Sequence, residues 1–174
     1  MNFDILAALK KKFRTLEEHC RAFDKKELTG LADECNSTLE EIFNLDITTY
    51  LLYLTASDSY ISGQEIEMFT YITELEVDDA DAMRDTIENT NVYSEEFETT
   101  VPWIIKIMTR CENALNSINE YSQYSVVEEF IEFFKLLGLT YINVDGEMCE
   151  AEKTDYLSYI SRIEDYVEDN LIYK

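Results

Sequence analysis

The sequence predicts an all-α fold: a single compact bundle of about seven helices with two related helix–turn–helix units. Three observations predict it. Apolar residues recur at steps of three and four along most of the 174-residue chain. Only four glycines and one proline occur, too few for the tight turns of a large sheet. Yet 46% of residues are apolar and 13% aromatic, enough to bury a core. The whole chain, 1–174, reads as one domain, with a basic amphipathic helix in 1–26 and a core spanning 40–170.

The elements follow in order. Leu6, Leu9, Phe13, Leu16, Cys20 and Phe23 form a narrow apolar seam, so residues 3–23 read as a helix, with its lysines off the seam. Leu28, Leu31, Leu39 and Phe43 extend the pattern. Asp46 reads as the N-cap of a helix over 47–56. Ser62 and Glu65 make a capping box that opens a helix to about Leu75. Asp78 or Asp79 caps a short acidic helix ending near Asn89–Asn91, and Ser94 starts one further turn. Pro102 suits a first helical position ahead of Ile104, Ile107, Met108, Cys111 and Leu115. Ser125 and Glu128 form a second box before Val127, Phe130, Ile131, Phe134 and Leu137. That helix is apolar around much of its girth and is expected at the centre. A last helix runs from about Glu150 to Asp169, with Tyr159, Tyr166 and Tyr173 as a stripe at the core edge.

Charge limits the function classes. The net charge is −23. Residues 1–26 carry +3, so the remainder carries −26, and no Lys or Arg occurs from Glu27 to Met83. Such a body repels nucleic acid and anionic lipid and attracts cations and basic protein surfaces. No apolar run reaches the roughly 20 residues that span a bilayer. The lysines of MNFDILAALKKKFR follow the apolar segment, whereas a secretory signal places them before it, so a cytoplasmic location is expected. Cys20, Cys35, Cys111 and Cys149 are widely spaced and read as reduced, small apolar side chains. His19, the one histidine, reads as a solvated helix residue. P-loop, dinucleotide and nucleophile motifs are absent, so no enzymatic activity is expected.

One pattern occurs twice. Asp58-Ser59-Tyr60-Ile61 through Glu65, and Asp145-Gly146-Glu147-Met148 through Glu152, share the form Asp, small residue, any, apolar, then Glu seven positions after the Asp. Each follows an apolar helix and opens another. Five helices, over 46–57, 62–75, 78–90, 101–117 and 125–142, lie around the copies. In an up-and-down bundle the first and fifth end on the same side, which would bring Asp58, Glu65, Asp145 and Glu152 together. Clustered carboxylates repel unless a cation or proton intervenes. Asn143 and Glu147 are further oxygen donors beside the second copy. The competing explanation is purely structural: Gly146 ends one helix and the Glu caps the next.

These paired motifs in an acidic helical chain resemble the tellurite-resistance TerB family. The resemblance covers roughly residues 40–170 and is carried best by Val144-Asp145-Gly146-Glu147-Met148 with Glu152. The first copy departs, with Ser59 in place of the usual glycine. The resemblance implies a helical bundle, an acidic cluster able to hold a divalent cation (Ca²⁺ or Mg²⁺) at Asp58, Glu65, Asp145 and Glu152, and stress-linked or membrane-proximal assemblies, with no established enzymatic reaction. Residues 141–152 also loosely match an EF-hand loop, but Tyr141 stands where the first ligand belongs. The expected function is a non-catalytic module engaging a divalent cation, a basic protein partner or both. The alternative is an acidic inhibitor or immunity-type protein that blocks a basic site on a toxin or nucleic-acid-binding protein.

Overall fold

A computed structural model describes residues 3–25, 37–57, 60–92, 94, 97, 99–118, 125–146 and 148–172. Seven helices occur among them: α1 (Phe3–Asp24), α2 (Leu39–Thr55), α3 (Gly63–Thr73), α4 (Ala80–Thr90), α5 (Trp103–Ile118), α6 (Val126–Tyr141) and α7 (Glu150–Asn170). No strand occurs among the described residues. The all-α prediction holds.

Two sequence expectations about the second helix fail for one reason. The helix starts at Leu39, not after Asp46, and it does not continue the N-terminal helix. Thr38 caps it in a full capping box: its hydroxyl accepts from Glu41 N–H, and the Glu41 carboxylate accepts from Thr38 N–H at 2.8 Å. Asp24 of α1 also accepts from Leu39 N–H at 3.1 Å. Asp46 therefore lies in mid-helix. The apolar spacing Ile42, Phe43, Ile47, Tyr50, Leu51, Leu54 runs across it, and all six residues are buried. Leu28 and Leu31 fall outside the described residues.

This reassignment moves the centre of the molecule. The expected central helix, α6, packs against α1, α2, α5 and α7, whereas α2 packs against every other helix. Tyr50, Leu51, Leu52, Tyr53 and Leu54 are all buried, so α2 has little solvent face. Where α2 crosses α6, Gly138 lets the helices meet: an added Cβ would fall 1.9 Å from the Tyr50 hydroxyl. Tyr50 stacks on Tyr159 of α7 at 4.3 Å between ring centroids, which places the first tyrosine of the predicted stripe inside the core.

The basic helix α1 docks on the body. Leu6, Leu9, Phe13, Leu16 and Cys20 are buried, and Phe13 packs on Phe43 and Phe133. Its cations meet the acidic body in specific places. Lys10 donates to Ile72 C=O at 2.6 Å, Lys10 and Arg14 both pair with Glu74, and Arg21 grips Glu40. Glu74 closes α3 with φ 62°, a left-handed conformation that a glycine would adopt more easily. Two cations from α1 thus hold the C-terminus of α3, where the helix dipole favours positive charge. His19 is half-buried rather than fully solvated, 3.3 Å from Glu129 of α6.

No described helix is long and apolar enough to cross a membrane.

Candidate functional site

The described residues of the two motif copies lie beside each other at one end of the bundle. The ends of α2 and α6 are tied there. Thr55 Oγ1 and Tyr141 Oη are 2.6 Å apart, and both residues are buried. Tyr141 Oη also donates to Glu65 C=O at 3.4 Å, which ties the end of α6 to the first copy. Burial pushes the Glu65 carboxyl up to about 7, and the charges of Glu152 and Asp145 add to the rise. Three of the four nominated carboxylates are therefore electrostatic neighbours. Asp58, the fourth, and Glu147 lie outside the described residues.

The glutamates point back into their own helices. Ser62 Oγ accepts from Glu65 N–H at 3.1 Å, and the Glu65 carboxylate accepts from Ser62 N–H at 2.7 Å. The second copy repeats the box with sulfur: Cys149 Sγ accepts from Glu152 N–H at 3.4 Å, and Glu152 accepts from Cys149 N–H at 2.7 Å. Glu65 is 3% and Glu152 7% exposed. The three-residue spacing from N-cap to Glu, shared by both copies, thus has a local structural use, closing a helix N-terminus. Between the boxes, Gly146 takes φ +86°, the left-handed conformation anticipated for it, and its N–H donates to Asn143 C=O. Asn143 donates its amide to Leu139 C=O at 2.7 Å, so its NH₂ faces the end of α6. Asp145 is half-buried in this loop and lines an open groove of about 390 Å³ with Ile5, Thr140 and Val144. Among the described residues no group of three His, Cys, Asp or Glu side chains is arranged to hold a metal ion.

Three further acids have uses that the sequence reading missed. Asp46, in mid-helix on α2, accepts from Ile104 N–H at 2.7 Å, with Trp103 N–H also directed at it, so it caps α5 from a neighbouring helix. Burial raises its carboxyl to about 7. Glu112 of α5 likewise caps α6, accepting from Val127 N–H and the Ser125 hydroxyl. The predicted Ser125–Glu128 box is half present: Ser125 Oγ accepts from Glu128 N–H, while Glu112 rather than Glu128 completes the cap. Asp24 serves α2 in the same way. No local pattern marks these cross-helix caps. Thr38-x-x-Glu41 and Cys149-x-x-Glu152 did carry a signal, the second hidden by a cysteine at the N-cap. Cys20, Cys111 and Cys149 are free thiols, and burial pushes Cys111 up to about 11. Cys20 and Cys111 are apolar core residues as expected, whereas Cys149 is a half-buried cap.

No family model, curated protein or solved structure matches the chain. The likeness to the TerB family therefore rests on the motif residues alone.

Proposed function

We propose that the chain is a non-catalytic, TerB-like acidic module that binds a basic protein surface. The supporting observation is the division of labour among its carboxylates. Asp46, Glu65, Glu112 and Glu152 are buried and committed to backbone N–H groups. The exposed ones carry the charge outward: Asp78, Asp81, Asp85 and Glu88 about α4, and Glu164, Asp165, Glu168 and Asp169 on α7. Many of the cations are spent internally, since Lys10, Arg14, Arg21, Arg84 and Lys135 each pair with a carboxylate. A field of one sign steers a basic partner and repels nucleic acid. An acidic inhibitor or immunity-type protein would use the same surface, so that reading differs in the partner's role rather than in the surface.

A second reading, a divalent cation at the motif end, has one observation in its favour: Glu65 feels the charges of Glu152 and Asp145. Two variants separate the readings. One carries Asp145→Asn with Glu152→Gln; the other neutralises the acids of α4 and α7. Each is titrated by calorimetry at physiological salt with Ca²⁺ and with a lysine-rich peptide. Peptide binding lost only in the second variant supports the surface reading. Saturable Ca²⁺ binding lost only in the first supports a motif-end cation site. Parent protein that binds neither would sink both.

A further inference from the structure

The basic helix α1 is fixed to the body along two edges that differ in chemistry. Toward α2 and α3 its ion pairs are made by Lys10, Arg14 and Arg21, which meet Glu74 and Glu40. Such groups keep their charge throughout the physiological range. Toward α6 the edge has one ion pair among the described residues, His19 with Glu129, and His19 is the only histidine in the chain. Further along that edge Phe13 packs on Phe133. At its far end a groove of about 390 Å³ opens between Ile5 and Thr140, beside Asp145.

One oxygen of Glu129 is left over. Its Oε2 atom is out of reach of water and accepts no hydrogen bond from any described residue. A buried acceptor without a donor is costly and uncommon. Nδ1 of His19 stands 3.3 Å from that oxygen, close enough for an ion pair yet not aligned as a hydrogen bond. A neutral imidazole has one N–H, whereas an imidazolium has a donor on both nitrogens and bonds a carboxylate about twice as strongly. Other charged groups stand around the pair. On α1, Glu18 precedes His19, Glu17 is held by Arg14, and Arg21 by Glu40 of α2. α6 adds Glu128 and Glu132, the second paired with Lys135, and Glu112 of α5 is committed to the N-terminus of α6. None of them donates to Glu129 Oε2. Carboxylates and guanidinium groups ordinarily hold their charge between about pH 5 and 8, so the imidazole is the member of this group that changes.

We propose that His19 and Glu129 form a pH-dependent clasp on the seam between α1 and α6, closed in mildly acidic solution and released above neutrality. The charged imidazole supplies the donor that Glu129 Oε2 lacks. A group that takes up a proton and thereby gains a partner stabilises the fold below the range where it titrates, and stops doing so as pH rises through that range. The seam is tightest at about pH 5, where imidazoles are charged and carboxylates still ionised, and loses the pair by about pH 8. Leu6, Leu9, Phe13 and Leu16 are buried in either case, so the clasp sets how readily α1 lifts from α6 and not whether it docks. This goes beyond the acidic-surface reading and does not rest on it.

The test is a double-mutant cycle of His19→Gln and Glu129→Gln, read by melting temperature at about pH 5 and about pH 8. Asp46 and Glu65 titrate alike in all four proteins, so their contribution cancels. The coupling between positions 19 and 129 should be about 1–3 °C at the lower pH and absent at the higher. Hydrogen exchange places the effect on the helix. Relative to the parent, His19→Gln should speed exchange in the second half of α1 about two- to fivefold at the lower pH and leave it unchanged at the higher. His19→Lys carries its charge at both pH values and should keep the coupling to Glu129 at the higher one. A coupling that is equal at the two pH values, or absent at both, overturns the clasp.

Discussion

The two copies of the repeated motif are alike in hydrogen bonding and unlike in setting. Both close a helix with a reciprocal box, and in both the glutamate meets the N-cap N–H at 2.7 Å. In the first, the cap is a hydroxyl, Ser62 is buried, and the apolar position, Ile61, is in the core. In the second, the cap is a thiol, Cys149 is half-buried, and the apolar position, Met148, is exposed. The same short pattern therefore serves as an interior joint in one place and a surface joint in the other. Spacing sets the local hydrogen bonds, whereas the surrounding helices set how much each bond matters.

The largest effect should come from separating the copies. The helices that lead into them, α2 and α6, meet at Gly138. A Cβ there would lie 1.9 Å from the Tyr50 hydroxyl oxygen and 2.8 Å from the Tyr156 ring. Tyr50 is wholly buried between Phe134 and Tyr159 and has nowhere to withdraw. Gly138→Ala should destabilise by about 1–3 kcal/mol or more, despite alanine's better helix propensity. Chemical denaturation measures this, and a variant as stable as the parent would show that the crossing is loose.

How much of this was legible in the sequence follows from the range of each interaction. Capping boxes and apolar periodicity are local, so the helices at Gly63–Thr73, Ala80–Thr90 and Glu150–Asn170 fall within a few residues of their expected bounds. The nearness of Glu65 to Asp145 and Glu152 was also legible, because four helices run between the copies, and in an up-and-down bundle an even number returns the chain to the side it left. Asp46 was misread because its residue type matches an N-cap, and the cap it makes is for a helix that begins at Trp103. Lys10 and Arg14 at the end of α3 were similarly invisible: their charge was evident, but their partner Glu74 is about 60 residues away.

A second effect should separate the copies by pH. The Glu65 carboxyl is raised from 4.5 to about 7, first by burial. The folded chain then holds a proton that the unfolded chain releases. The stability this proton supplies is complete below about 4.5 and is lost as pH rises through about 7. Asp46, raised from 3.8 to about 7, acts in the same direction. The parent should therefore melt at a lower temperature at about pH 8 than at about pH 5. Glu65→Gln keeps an oxygen for Ser62 N–H without the charge. It should gain on the parent at the higher pH and lose that advantage at the lower. A pH profile of the melting temperature that is parallel in parent and variant would remove Glu65 from the account.

The smallest effect should distinguish the two N-cap atoms. Sulfur is a weak acceptor, and Cys149 Sγ lies 3.4 Å from Glu152 N–H, compared with 3.1 Å for Ser62 Oγ to Glu65 N–H. Exchanging the atoms tests whether the caps differ by chemistry or by setting. Cys149→Ser places a stronger acceptor at a half-buried terminus where water already competes, so a gain of about 0.5 kcal/mol or less is expected. Ser62→Cys puts the weaker acceptor where burial excludes that competition and where a larger atom must fit against the core. It should cost about 1–2 kcal/mol. Thermal denaturation of both variants gives the comparison. Equal and opposite shifts would mean that only the atom matters. A loss at Ser62 well above the gain at Cys149 would mean that the buried copy depends on its box and the surface copy does not, which leaves the Asp145–Glu152 end the freer of the two to vary.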